Sequence, residues 1–309
     1  MKDSMDNTEL PKFTKYPNLP LELRHHVLTF CNGSTLLNYS VCSNLCNSEA
    51  QRCNIEPPYQ LDIREESDGV VVDMGYKKND GLKLYHERCR IHKKFNDIED
   101  IEKYLMKYYK YTGEKHTTCL KIDLKQWPGN LMKLKFIKNI EQWNVTIYNS
   151  MVDDFTDYFK TEDPHIVDLT LYDCANVSDR ATTGSDFFKS EGFRRVESPD
   201  IRVKCKIDSE DFINLENKDV RIKASISFDA IREKVRKWNS SIQREERYIS
   251  VEMPEDDDKK FDIFDIFPTD QFDIVARYGK SGNFRIGKVL GGVRQGRDRD
   301  MICLLFKKT

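Results

Sequence analysis

Few residues in this chain stand at spacings that would let them do chemistry. Gly282 to Lys288 reproduces G-x-x-x-x-G-K, in which backbone N–H groups cradle a phosphate and the lysine reaches its oxygens. Val289 stands where a Ser or Thr must hold magnesium, and Asn283 to Ile286 alternates like a strand, so a strand is expected there instead of a nucleotide loop. The same valine breaks any G-x-G-x-x-G beginning at Gly287. His86, Cys89 and His92 form H-x-x-C-x-x-H, and Cys42, Cys46 or Cys53 could complete the four ligands that zinc wants. Cys46 and Cys53 have a packing role described below, and histidines among lysines are ordinary on a surface, so neither a metal nor any other cofactor is expected. Lys103, Lys107 and Lys110 interleave with Tyr104, Tyr108, Tyr109 and Tyr111, a composition that can stack bases and neutralise phosphates. Several of these tyrosines fall on or beside the apolar side of a helix, and the chain carries a formal charge of −2, which argues against nucleic acid as the partner. No G-x-S-x-G or H-E-x-x-H occurs, and Asp153-Asp154 means little where 33% of residues are charged. The reading is non-catalytic.

The elements that could position a binding surface are clearer. The 309 residues are 39% hydrophobic and 11% aromatic, which excludes a wholly disordered chain. The longest apolar run, Met301 to Phe306, is far short of the 18 or so residues a membrane helix needs, so no membrane association is expected. Met1 to Glu9 are polar and acidic, unlike a secretory leader, and the nine cysteines read as thiols of the cytosol or nucleus.

Residues 1–16 read as a flexible tail. From Leu19 to Asn54 the pattern is of three short helices. Pro20 suits a first helical turn and Glu22 complements its positive end, after which Leu23, Val27 and Phe30 share a face. Asn32-Gly33 stops that helix, Ser34 can cap a second containing Leu36, Leu37 and Val41, and Cys46, Ala50 and Cys53 face inward on a third. So small a module lacks a self-sufficient core and needs a partner surface. Residues 57–118 read as a connecting α/β region, with strands at Gln60 to Arg64 and Gly69 to Met74 and a helix from Asn96 to Tyr111.

In residues 119–309, short alternating segments recur. Anchored at Ile122, Val145, Leu169, Phe193, Val220 and Ile249, they step by 23, 24, 24, 27 and 29 residues, with helix-like stretches between. One strand plus one helix at this period is the signature of leucine-rich repeats, and Ile166, Leu169, Leu171 and Cys174 fit L-x-x-L-x-L-x-x-C. The competing possibility is an ordinary α/β domain. Glu255 to Asp258 with Lys259 and Lys260 reads as a solvated loop. Phe272 to Arg277, Phe284 to Lys288 and Met301 to Lys307 read as strands of a small antiparallel cap, with Gly279 to Gly282 as a turn and Gly291-Gly292 opening a loop. The expected fold class is therefore α/β: a three-helix module at 17–56, then an irregular leucine-rich-repeat-like strand/helix solenoid closed by an antiparallel cap.

Leu19-Pro20-Leu21-Glu22-Leu23, Val27-Leu28-Thr29-Phe30, Leu36-Leu37 and Ser40-Val41-Cys42-Ser43 together resemble an F-box spanning residues 17 to 53. The other end resembles the F-box-associated domain (type 2) expanded in nematodes. The matching pieces are Ile231 to Ser240 with Trp238-Asn239-Ser240, Arg247 to Val251, Phe272-Asp273-Ile274 with Arg277 and Gly279, Phe284-Arg285-Ile286, and Ile302 to Phe306. The resemblance implies a substrate-recognition subunit of a Skp-cullin-F-box ubiquitin ligase. The F-box would bind a Skp-family adaptor, and through it a cullin, using Leu19, Pro20, Glu22, Leu23, Val27, Leu28, Phe30, Leu36, Leu37 and Val41. The C-terminal domain would hold an unknown target protein, with Trp143, Tyr148 and Tyr172 as candidate contacts. The alternative is a protein that sequesters its partner without degradation.

Overall fold

A strand covered on one side only needs apolar residues at every second position, and a row of such strands needs those positions in register. The computed structural model describes residues 19–29, 31, 33–40, 42–53, 57–76, 89–110, 117–174, 182–240, 247–252, 276–278, 281–286, 289–294 and 301–306. It is α/β, with a large mixed sheet, and no described helix is long and apolar enough to cross a membrane. The chain divides into two compact units, one of residues 1–57 with 103–115, the other of 58–102 with 116–309.

The first unit holds α1 (Leu21–Thr29), α2 (Gly33–Ser40) and α3 (Asn44–Arg52), with residues 103–109 of α4 (Ile98–Tyr109). Arg24 N–H donates to the Pro20 carbonyl at 3.0 Å, so Pro20 sits at the start of α1, where a missing donor costs nothing. The second helix begins at Gly33, one residue ahead of the expected Ser34 cap. The third is capped by Ser43, whose Oγ accepts from Cys46 N–H at 3.0 Å. Its expected inner face holds, with Ala50 and Cys53 buried and Cys46 half-buried. Glu49 is buried on that same face. Its carboxylate meets Arg24 of α1 at 3.0 Å and accepts from the Tyr39 hydroxyl of α2 at 2.5 Å, so one side chain ties three helices together. On α4, Asp97 caps the first turn through Asp100 N–H at 2.9 Å, and Ile101, Leu105, Tyr108 and Tyr109 are buried.

Among the described residues, thirteen strands of the second unit form one sheet. Six run parallel in chain order: β4 (Cys119–Asp123), β5 (Gln142–Ile147), β6 (Asp168–Asp173), β8 (Ser198–Ile201), β10 (Asp219–Ser225) and β11 (Arg247–Glu252). The two-residue β7 (Thr182–Thr183) and β9 (Lys204–Cys205) pair separately. Beyond β4, β1 (Gln60–Glu66) joins in parallel and continues antiparallel into β2 (Gly69–Tyr76) and β3 (Cys89–Phe95). Beyond β11 the order is β15 (Met301–Phe306), β14 (Val289–Arg294), β13 (Ser281–Ile286) and β12 (Ala276–Tyr278), all antiparallel. The strands of the expected connecting region thus extend the main sheet, because β1 pairs with β4.

Pairing aligns Ile63, Ile122, Val145, Leu171, Ile201, Ile222 and Val251 across seven strands, each at most 1% exposed. Burying each contributes about 1.5–3 kcal/mol. Helices cover this side: α5 (Gly129–Met132), α6 (Lys135–Lys138), α7 (Val152–Thr161), α8 (Ser185–Lys189), α9 (Glu191–Arg195), α10 (Ser209–Asn214) and α11 (Phe228–Ser240). Their aromatic residues interlock, with Phe155–Phe159 and Phe187–Phe193 ring centres both 4.9 Å apart. Residues Ile166, Leu169, Leu171 and Cys174 are all buried, as their spacing requires.

Three local expectations are corrected. Phe193 is not a strand anchor but lies in α9, where Ser190 caps the helix and Gly192 lies so close to Phe159 that an added Cβ would stand 2.5 Å from its carbonyl oxygen. The strand comes later, as β8. Gly291-Gly292 lie inside β14, and the stretch that mimics a phosphate loop is largely β13, a strand as expected. Positions 89 and 92 lie in an unforeseen strand, β3, while His86 falls outside the described residues, as do residues 1–16 and the charge run at 255–260. Gly69 has φ +143°, a conformation that side chains resist, which lets β1 turn tightly into β2.

Candidate functional site

Two surfaces could do something. The first lies on the helical unit. A buried apolar side chain is expected wherever its own chain can cover it, so large exposed ones need a reason when they cluster. Among the described residues the exposed large apolar side chains are Leu23 (50%), Val27 (39%), Leu45 (55%) and Met106 (53%), and all four belong to the first unit. Leu23 and Val27 are one helical turn apart on α1, the face the sequence pattern joins. Pro20 and Glu22 are exposed at the start of that helix, and Leu19 is half-buried. Leu28 and Leu36, in contrast, are buried, as are Ala50 and Cys53. Phe30 and Val41 fall outside the described residues, and only the backbone of Leu37 is described.

The second surface is the side of the sheet opposite the helices. Because pleating alternates, residues between the buried anchors emerge there in rows. One row is Cys119, Gln142, Asp168 and Ser198. The next is Asp62, Lys121, Asn144, Thr170, Asp200, Arg221 and Ser250. Across β5 to β10 these rows frame a groove of about 290 Å³, lined by Gln142, Asn144, Asp168, Thr170, Ser198, Asp200, Asp219 and Arg221 among others.

The charges here are unevenly matched. Asp200 accepts from Arg202 Nε and Nη2 at 3.0 and 2.7 Å, and this raises the guanidinium pKa. Arg221 stands 3.8 Å from Asp219 and 5.9 Å from the Tyr248 ring centre. Asp168 receives only a 3.3 Å hydrogen bond from Gln142 Nε2, and no described cation pairs with it. One oxygen of Asp219, Oδ1, is covered yet accepts no hydrogen bond. Toward β1, Asp73 is enclosed by Arg64 and His92. Burial alone would raise its carboxyl pKa, but hydrogen bonds from Arg64 and His92 hold it below the usual range. Neighbouring Asp62 is pushed up by burial against the pull of Lys121 and Arg64.

The expected target contacts separate. Trp143 is fully buried, its indole N–H donating to the Ile140 carbonyl at 2.8 Å, and it packs in the core. Tyr148 is half-buried and donates to Asp123 Oδ1 at 2.8 Å, and burial with that carboxylate raises its pKa. Tyr172 is also half-buried on the polar side, with the Arg202 guanidinium 5.1 Å from its ring centre. The carboxylates of the groove were missed. Their signal was Asp168 and Asp219 standing directly before the anchors Leu169 and Val220.

Among the described residues no group of three or more His, Cys, Asp or Glu could hold a metal ion. What the rows offer is hydrogen bonding and charge over a broad area. No family model, no curated protein and no solved structure matches the chain.

Proposed function

We propose that this chain is the substrate-recognition subunit of a Skp-cullin-F-box ubiquitin ligase, docking on a Skp-family adaptor through residues 17–56 and holding a protein target with residues 119–309. The observation that carries this reading is that, among the described residues, the large exposed apolar side chains, Leu23, Val27 and Leu45 with Met106, all belong to the unit containing the F-box-like sequence. A helical module that leaves such side chains in water gains by seating them against another chain, at about 25 cal/mol per Å² of apolar area removed from solvent. The six parallel strands in chain order, each returning through a helical segment, support a leucine-rich-repeat-like solenoid, and the antiparallel β12 to β15 support its cap. The mechanism is proximity: a target held on the ligase meets the ubiquitin-carrying enzyme at high effective concentration.

Leu23→Asp and Val27→Asp, on an exposed face, are expected to weaken adaptor binding at least 30-fold, about 2 kcal/mol, while the melting of the large sheet is unchanged. Co-purification with the adaptor measures this. Adaptor binding unchanged in both variants would end the F-box reading. Leu36 does not serve as such a probe, because it is buried and its replacement by Asp would unfold the module. Proteasome inhibition separates degradation from sequestration: a degraded target accumulates and a masked one does not.

A further inference from the structure

We infer that the polar side of β5 to β10 takes an extended polypeptide segment of the target that places a lysine or arginine between Asp168 and Asp219. This rests on the reading of the sheet as the target-holding part and names the chemistry it selects. Three carboxylates, Asp168, Asp200 and Asp219, line the groove with one guanidinium, Arg221. Asp200 is already served by Arg202, and Arg221 reaches only Asp219, at 3.8 Å. Asp168 is left with a single amide donor from Gln142, and Asp219 with a guanidinium no closer than 3.8 Å.

These two carboxylates stand on β6 and β10, with β8 between them. Two strand spacings separate them by about 10 Å. The intervening strand offers Ser198, whose short side chain leaves the space open. An ammonium or guanidinium entering there would meet a carboxylate on either side, Asp168 with its single amide donor and the exposed part of Asp219, which Arg221 approaches only to 3.8 Å. Gln142, Asn144 and Thr170 supply donors and acceptors in the adjoining rows, suited to the main chain of an extended segment. A nucleic-acid backbone is disfavoured, since its phosphates would face Asp168 and Asp219 directly.

The full-length chain, by itself and in the presence of adaptor, is used to select from a displayed library of random short peptides. Enriched peptides are expected to carry Lys or Arg. Their binding is expected to weaken about tenfold on Asp168→Asn, and again on Asp219→Asn, and to fall as salt rises from about 50 to about 500 mM. Both substitutions keep side-chain shape on a solvated face, and Asp168→Lys, as a second variant, is expected to redirect selection toward acidic peptides. Enrichment of peptides without basic residues, indifference to both Asn substitutions, or no enrichment at all would overturn the inference. Adaptor co-purification on the same proteins keeps the two readings apart. Failure of the wild type to bind adaptor removes the ligase reading and leaves the peptide result standing, whereas loss of peptide binding with adaptor retained bears on the groove alone.

Discussion

Replacing Glu49 with alanine is expected to destabilise the helical unit by about 3–5 kcal/mol, the cost of breaking a buried ion pair by removing one partner. Glu49 is 1% exposed and lies 3.0 Å from the Arg24 guanidinium, with the Tyr39 hydroxyl 2.5 Å from its other oxygen. Deleting the carboxylate strands a charge and a hydroxyl in a unit whose buried residues in α1 to α3 are few, Leu28, Leu36, Ala50 and Cys53 among them. A unit this small has little stability in reserve, so the loss should unfold it. Limited proteolysis of the full chain checks this: cleavage within residues 19–53 should become fast while the strands of the second unit stay protected. Glu49→Gln keeps an acceptor for Tyr39 and should lose less. Unchanged protection in Glu49→Ala would mean that the three helices do not depend on this carboxylate.

The second unit should become more stable as pH rises from about 7 toward 10, and Lys234 is the reason. Its ammonium is 1% exposed, and burial, with Lys237 and Arg247 nearby, lowers its pKa to about 7. The nitrogen donates to the carbonyls of Ile213 at 2.9 Å and Leu215 at 2.5 Å, which the two N–H bonds of a neutral amine can satisfy. The indole of Trp238, 5.3 Å away, favours the charged form, but burial outweighs it. An unfolded lysine titrates near 10.4, so between the two values the unfolded chain holds a proton the folded one does not, and stability climbs with pH. The full increment is on the order of 4 kcal/mol. Above pH 10 the trend reverses, because burial raises the pKa values of Tyr148 and Tyr158 in the fold. In Lys234→Met the rise between pH 7 and 9.5 should vanish. Denaturant midpoints of both proteins across that range decide it, and parallel curves would show that Lys234 stays charged.

Much of the scaffold was legible because it rests on periodicity. Ile122, Val145, Leu169, Val220 and Ile249 all lie buried in parallel strands, and the stretches between them that read as helical hold the buried Phe155, Phe159, Ile231, Val235 and Trp238. Pro199 hid β8, because a proline in a run argues against a central strand, while Phe193 offered a more apolar alternative nearby. The place of β1 to β3 in the sheet was invisible for a different reason: their pairing with β4 is set by contacts distant in sequence. Glu49 shares the inward stripe of Cys46, Ala50 and Cys53, but nothing local announces that Arg24 and Tyr39 meet it there. The groove followed the same rule. Alternation around Leu169 and Val220 carried a signal for Asp168 and Asp219 that was not used, Asp200 was hidden with β8, and which of them would lack a cation depended on neighbours across strands.

The parallel part of the sheet also bears on synthesis. From β4 to β11 each new strand of the main sheet docks beside the previous strand of that sheet, the aligned residues Ile122, Val145, Leu171, Ile201, Ile222 and Val251 following one another at intervals of 21 to 30 residues. A chain leaving the ribosome can therefore assemble vectorially, each arriving strand finding a template already in place. The exception is the last addition, since β11 receives β15 from some fifty residues downstream, pairing Val251 with Ile302. Until residues 301–306 have been made that flank of the growing sheet stays open, which makes it the stretch where a nascent chain most needs a chaperone.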